Sequence, residues 1–323
     1  MRGLSLALAA SLFALAAAPA PAQSDYPARP IRLVVDTSPG GLTDILARMA
    51  AEGLAREAGR QVVVENRAGA AGNVAIEYVT KSPADGYTLM ICAGGNVVIK
   101  PFLDHTIAFD PLTDLVPVFN VAEAPHILVV PAAFPAATLA EFIAYAKAKP
   151  GKLYYGSAGN GSPPHLAMDR FARLAGVQMV HVPYKGVGQA LPDLVAGRVQ
   201  MMSMSYGSAR PYLKSGALRA LAAGSKQRLA GLPDVPNSAE AGLPAWEMSA
   251  WFGIFAPRDT SPEIVRFLNA RLQRVIDEPA SRKRLLELGA EPVGGTAPAF
   301  SERVRADYRL WGQVVRDSGI KLE

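Results

Sequence analysis

The sequence predicts an α/β protein built from two units, each a mostly parallel sheet flanked by helices, with a cleft between them. Three observations carry this reading. Apolar β-rich runs alternate with stretches of helical period. The alternation runs through one series and then through a second, differently worded one. Glycine-rich turns follow the strands of both series, where open parallel sheets present their ligand-binding edge.

"IRLVV" (31–35) predicts the first strand, and Leu42, Ile45, Leu46, Met49 and Leu54 then recur at helical spacing. "QVVVEN" (61–66) reads as a second strand, "GAAGNVAIEYVTKS" as a helix, and "YTLMICA" (87–93), bounded by Asp85-Gly86, as a third strand. Such strand–helix alternation is the pattern of a parallel sheet covered by helices. The second series opens with the strand "HILVV" (126–130) and the helix "TLAEFIAYAKAKPG", stopped by Pro150-Gly151. "KLYYGSAGNG" (152–161) is a strand running into a Gly-rich loop, followed by the helix "PHLAMDRFARLAG". "MVHVPY" (179–184), "QALPDLVAG" and "VQMMSMS" (199–205) continue the alternation. After "ALRALAAGS" comes the Pro-rich connection "LAGLPDVPNSAEAGLP", and helical stretches near 261–276 and 299–317 close the chain. No repeat with a period of 20–50 residues emerges, which excludes a solenoid.

Composition narrows the class. Arg2, the apolar run from Leu4 to Ala18 and the small residues Ala20-Pro21-Ala22 read as a secretory leader cut before Gln23. A membrane anchor is the competing reading, but the run is short against the ~20 residues a span requires. The remaining length of about 300 residues exceeds what a single core usually organises. Cys92 is the sole cysteine, so no internal disulfide forms, and in "YTLMICAGG" it reads as a small buried hydrophobe. His105, His126, His165 and His181 show no metal-ligand spacing. The net charge of +5 is spread without basic runs, which argues against a nucleic-acid partner.

The loops carry the functional signal. In "SPGGLTD", Gly40 and Gly41 let the backbone turn sharply, and a helix starting near Leu42, Thr43 and Asp44 offers unpaired N–H groups to an anion. The alternative is a tight strand-to-helix turn capped by Thr43 or Asp44. Similar loops recur at Gly69 and Gly72, at "AGGN" (93–96) with Gly95 and Asn96, and at "GSAGNGSPPH" (156–165). Four such loops after strands make a packing accident a poor explanation. Enzyme motifs are missing. There is no G-x-x-x-x-G-K-[ST] loop, "GSAGNG" lacks the G-x-G-x-x-G spacing, and Ser162 is not in a nucleophile elbow. His165 lies in a loop where it reads as an orienting donor or a packed side chain rather than a general base, and nothing pairs Asp44 with Glu65 for acid–base work. Neither catalysis nor a cofactor is expected.

The motifs "YPARPIRLVV", "SPGGLTDILAR", "VVVENRAGAAGNVA", "SPADGYTLM", "PGKLYYGSAGNGSPPHLA", "VHVPYKGVGQALPDLVAGRVQ" and "WFGIFAP" in this order resemble the Bug, or TctC-like, family. These are extracytoplasmic solute-binding proteins of tripartite tricarboxylate transporters. The resemblance spans essentially the whole mature chain. It implies a two-lobed, type II periplasmic-binding-protein fold closing on its ligand like a Venus flytrap, with 23–124 and 230–323 in one lobe and 125–229 in the other. It implies a small organic acid held by backbone amides and bridging waters, transporter subunits as membrane partners, and no obligate oligomer. Carried over, Gly40, Gly41, Leu42, Thr43, Asp44, Ala71, Gly72 and Asn73 serve the first lobe, with Gly95 and Asn96 beside them. Ser157, Ala158, Gly159, Asn160, His165, Tyr184, Ser205 and Tyr206 serve the second.

One departure bears on the ligand. Many family members carry an acid-containing triplet after "GRVQMM", whereas this chain reads Ser203-Met204-Ser205. A ligand ammonium would lose that partner, so a plain organic acid is expected rather than an amino acid. Tyr206 and Trp251 either add an aromatic wall or fill the core. The rival function is a periplasmic hydrolase or lyase working in the same cleft, and a third is a ligand-presenting partner of a sensor kinase.

Overall fold

The computed structural model describes residues 26–319 except 38, 70, 71, 105, 106 and 185. The leader expected over residues 1–22 lies outside the described residues.

Two sheets share one long strand. Strand β1 (Ile31–Val35) pairs in parallel with β2 (Val62–Asn66) and β3 (Thr88–Ala93). Helix α1 (Leu42–Ala58) follows β1, α2 (Asn73–Thr80) follows β2, and the short α3 (Gly95–Val98) follows β3. Strand β4 (Leu115–Pro131) begins eleven positions before the predicted "HILVV" run. The sequence hides that start because Pro117 and Pro125 interrupt it; the strand tolerates them through register shifts, one of them beside Pro117.

Helix α4 (Leu139–Ala148), β5 (Leu153–Ser157), α5 (Pro163–Ala175), β6 (Met179–Pro183), α6 (Val187–Val195) and β7 (Met201–Ser205) form the second series. Strand β5 is parallel to β6 and β7, while β4 runs antiparallel to β7. Helix α7 (Tyr206–Lys214) leaves β7 without a loop and leads to β8 (Leu218–Ala223), also antiparallel to β4. After the Pro-rich connection, β9 (Ser249–Pro257) inserts antiparallel between β3 and β4. Helices α8 (Pro262–Asp277), α9 (Pro279–Glu287) and α10 (Ala297–Ser318), with β10 (Glu291–Pro292) on the β4 edge, end the chain. Strand β9 and helices α7 and α9 lie outside the elements read from sequence. Each sheet is therefore mixed: a parallel trio joined to antiparallel strands.

Strand β4 connects the sheets. Its residues from Leu115 to Pro125 pair with β9, and from His126 onward it pairs with β7 and β8. At that point three backbone segments close a ring: His126 N–H donates to Met248 O, Met248 N–H to Gly224 O, and Gly224 N–H to His126 O. Both chain passages between the sheets meet at this ring. An apolar layer with Val34, Met90, Phe171, Trp246, Trp251 and Trp311 runs across both units. Separate layers cover the outer face of the first sheet, around Leu46 and Phe119, and the α6–α7 face of the second, around Met202 and Met204. Cys92 is fully buried in the shared layer, as its sequence context predicts.

Candidate ligand-binding site

Some helix starts carry a side-chain cap and others do not. Helices α4, α5, α8 and α10 are capped by Thr138, Ser162, Ser261 and Thr296, whose hydroxyls accept from the third residue of each helix. Helices α1, α2 and α3 begin at Gly41, Gly72 and Gly94 with no side-chain cap. These uncapped starts all follow parallel strands of the first sheet, at its carboxyl edge. Lacking a side-chain cap, the first turns of α1 and α2 keep N–H groups and a positive dipole end available to an anion.

The glycines shape this edge more than they donate. Gly40 N–H goes to Asp44 Oδ2 at 2.9 Å, Gly72 N–H to Gly69 O at 2.9 Å, and Gly159 N–H to Ser157 Oγ at 3.1 Å. The Gly40, Gly72 and Gly159 amides are thus occupied within their own loops, while Gly41, Leu42 and Thr43 open the uncapped turn of α1, with Gly40 folding the approach to it. Asp44 is 3% exposed and fully engaged. Besides Gly40 it binds Arg48 through both oxygens and accepts from Asn66 Nδ2 at 2.9 Å. Those bonds, Arg48 foremost, pull its carboxyl down to about 2. Asp44 thus fastens the loop.

Beside it, Gly72, Asn73, Asn96 and Asp36 come together. Asn96 Nδ2 donates to Asp36 Oδ2 at 2.6 Å, directly over Gly72. Asp36 is 2% exposed, and burial pushes it up to about 6, although the Asn96 hydrogen bond and the positive charge of Lys100 pull the other way. It was not among the residues singled out from sequence. A lone acid closing the apolar run "RLVVD" was the available signal. Ala71 lies outside the described residues.

The second unit faces this edge through α5, while α7 meets the end of α9. A Cβ on Gly95 would lie 3.8 Å from the Pro163 ring, and one on Gly207 would lie 2.7 Å from Leu288 O. Ser157 is fully buried, and its hydroxyl is shared among Gly159 O, Gly159 N and His181 Nε2, the last at 2.6 Å. Ala158 and Gly159 are half-buried and Asn160 is exposed at the loop tip. His165 Nδ1 accepts from Gly161 N–H at 3.1 Å, which leaves its proton on Nε2. Its ring stacks on His181 at 3.7 Å, a contact between residues distant in sequence that nothing in the chain announced. Burial lowers His165; burial and the neighbouring His165 bring His181 down to about 4. The pair is neutral at pH 7 and supplies donors, not charge. Tyr184 supports the Ser157 loop by backbone bonding and gives its hydroxyl to Asp193 at 2.7 Å.

Of the two readings open for Tyr206 and Trp251, pocket wall or core, both side chains take the core, and Met204 is enclosed as well. Tyr206 is buried in the α6–α7 apolar layer, and its hydroxyl donates to Gly231 O at 2.9 Å. Met204 is wholly enclosed in the same layer and lines no open wall. Trp251 packs on Gly94 and sends its Nε1–H to Asp307, so it is core. Ser205 stays at the edge, half-buried and hydrogen-bonded to Ser208. No group of His, Cys, Asp and Glu suited to a metal occurs among the described residues.

His126 offers a test of this electrostatic reading. It is fully buried, with Nδ1 at 3.0 Å from Ser203 Oγ, and burial lowers it to about 4. Its folded value lies below its unfolded one, so its contribution is complete above about pH 6.5 and disappears as pH falls towards 4. We expect stability to drop over that window, by up to about 3 kcal/mol from this group. Urea titrations of wild type and His126→Asn at pH 7 and 4.5 check this: the variant should show the shallower decline.

Comparison with known proteins places this geometry. The profile described as "Tripartite tricarboxylate transporter family receptor" matches residues 46–320. The chain belongs to this receptor family. Among relatives of this tricarboxylate-receptor chain, Protein BugT of Bordetella pertussis is 36% identical over 98% of each sequence. A Rhodopseudomonas palustris protein solved with adipate is 38% identical, with a TM-score of 0.77, covering 92% of this receptor and 99% of that chain. MatC from the same organism, solved with bound malate, is 33% identical with a TM-score of 0.72, covering 90% of this receptor and 100% of that chain. The receptor thus has the two-lobed periplasmic-binding-protein fold. Among its described residues no helix is long and apolar enough to cross a membrane.

Proposed function

We propose that this receptor is exported, captures a small organic acid in the cleft between its lobes and delivers it to a tripartite tricarboxylate-type transporter. One observation carries the reading: the two full helices opening on the carboxyl edge of the first sheet, α1 and α2, start at glycines, Gly41 and Gly72, with no side-chain cap. A carboxylate at that edge gains fixed N–H donors and positive helix ends, with little side-chain entropy lost. Bridging waters complete its coordination from the second lobe, near Gly159, His165 and Ser205. The solved relatives holding adipate and malate support the same ligand class.

The lobes, 23–124 with 230–323 and 125–229, close about the His126–Gly224–Met248 ring. Since each lobe supplies part of the site, ligand binds the closed form better and shifts the population towards it. Binding without chemistry is favoured over hydrolysis because Ser157 is fully enclosed and its hydroxyl is spent within its own loop. The preference for a plain acid over an amino acid rested on position 204, and Met204 is now seen inside an apolar layer, so that ground is removed.

The test is a thermal-shift screen of the mature chain, unfolded and refolded to strip carried ligand. The panel holds mono-, di- and tricarboxylates with their amides. A midpoint rise with acids that is lost with amides is the expected result, by mass action on the native state. Folded protein that responds to no acid would remove the proposal.

A further inference from the structure

We propose that Asp36 determines specificity at this site, which selects acids bearing a hydrogen-bond donor, a hydroxyl or an ammonium, next to the carboxylate. The inference rests on the receptor reading above and names the ligand class within it.

Asp36 stands at the end of β1, 2% exposed, with Oδ2 occupied by Asn96. Its Oδ1 is buried with no hydrogen-bond partner among the described residues. Two further buried atoms nearby in the chain and across the Gly72 contact share that condition: Thr37 Oγ1 and Asn73 Oδ1. Asn73 Nδ2 donates to Asp104 at 3.3 Å, and its Oδ1 is left as an unmatched acceptor. The carboxylate and amide oxygens can only accept, and the hydroxyl can do either. Unmatched buried acceptors are costly, and native chains supply a partner for nearly all of them.

These acceptors lie beside the uncapped starts of α1 and α2, at Gly41 and Gly72. The site therefore offers N–H groups for a carboxylate and oxygens for a donor within one floor. A 2-hydroxy or 2-amino acid carries both on neighbouring atoms. An unsubstituted acid would satisfy the donors and leave Asp36 Oδ1 unmatched and facing a like charge. The charged and titratable groups acting on Asp36 are Lys100, which favours its ionised form, and the Cys92 thiol, which its carboxylate drives up. Asp36 is mostly ionised at neutral pH and accepts through both oxygens.

The experiment measures affinity at pH 7.5 for matched triples of unsubstituted, 2-hydroxy and 2-amino acids with three to six carbons, succinate, malate and aspartate among them. Wild type and Asp36→Asn are compared. In wild type the hydroxy or amino member of the best triple should bind at least ~10-fold tighter than the unsubstituted member. The better of the two says whether hydroxyl or ammonium is the donor. Asp36→Asn places an amide N–H where Oδ1 was, and should bring the triple within ~3-fold. The wild-type ranking decides the matter even if the variant does not fold. An unsubstituted acid binding as tightly as its substituted partners overturns the inference, because an internal water then serves Asp36, and leaves the receptor reading standing. An unchanged ranking in folded Asp36→Asn overturns it too. Failure of every acid to bind overturns the receptor reading itself.

Discussion

Gly72→Ala should weaken carboxylate binding at least ~10-fold while the chain still folds. Gly72 has φ +99°, where an L side chain is strained, and its added Cβ would sit 2.8 Å from Asn96 Nδ2 and 3.3 Å from Asp36 Oδ2. Either the Asn96–Asp36 bond breaks or the first turn of α2 moves, and both groups belong to the proposed site. Gly59→Ala is the matched control. It has φ +65° at the end of α1, with nothing within 4 Å of an added Cβ. It should cost about 1 kcal/mol of stability through the same backbone effect and leave affinity unchanged. Calorimetric titration of both variants with the best acid checks this. Equal affinity in the two would mean that the Gly72 edge does not contact ligand.

Asp44→Ala should be the more destabilising change, by about 2–4 kcal/mol at pH 7. It strips the partner from Gly40 N–H, removes one of two acceptors from Asn66 Nδ2 and leaves Arg48 only its bond to Asn66 Oδ1. Because Asp44 is held near pH 2, below its unfolded value, its contribution is complete above about pH 4 and vanishes as pH falls towards 2. Denaturant titrations should therefore show wild type and Asp44→Asn far apart at pH 7 and converging towards pH 2. A gap independent of pH would mean that the Asp44 charge is not what fastens the loop.

The elements legible in the sequence are those bounded by local chemistry. Strands β1, β3 and β5 end in glycine-rich turns, and α4, α5 and α10 announce themselves by caps, apolar period and terminal Pro or Gly. Strand β9 is sandwiched between β3 and β4, so it is apolar on both faces and shows no alternation. Helix α7 contains Gly207 and Pro211 and starts where β7 stops, leaving no boundary to read. The same division runs through the site. The glycine turns are local and were visible, whereas the roles of Asp36 and His181 come from partners 60 and 24 residues away. Tyr206 looked like a wall because it follows the strand end, yet its ring turns inward to Gly231.

The backbone ring at His126, Gly224 and Met248 ties the two chain passages together. On the proposed motion it acts as a gatepost: both chain passages hang from one point, so swinging the lobes bends few torsions, and the rim farthest from the post travels most. Gly224 has no room for a side chain, since a Cβ there would lie 2.8 Å from Met248 N. A substitution at that post would reset the resting angle of the gate. Apparent affinity would then scale with the fraction of molecules already near closure, although no ligand contact had changed.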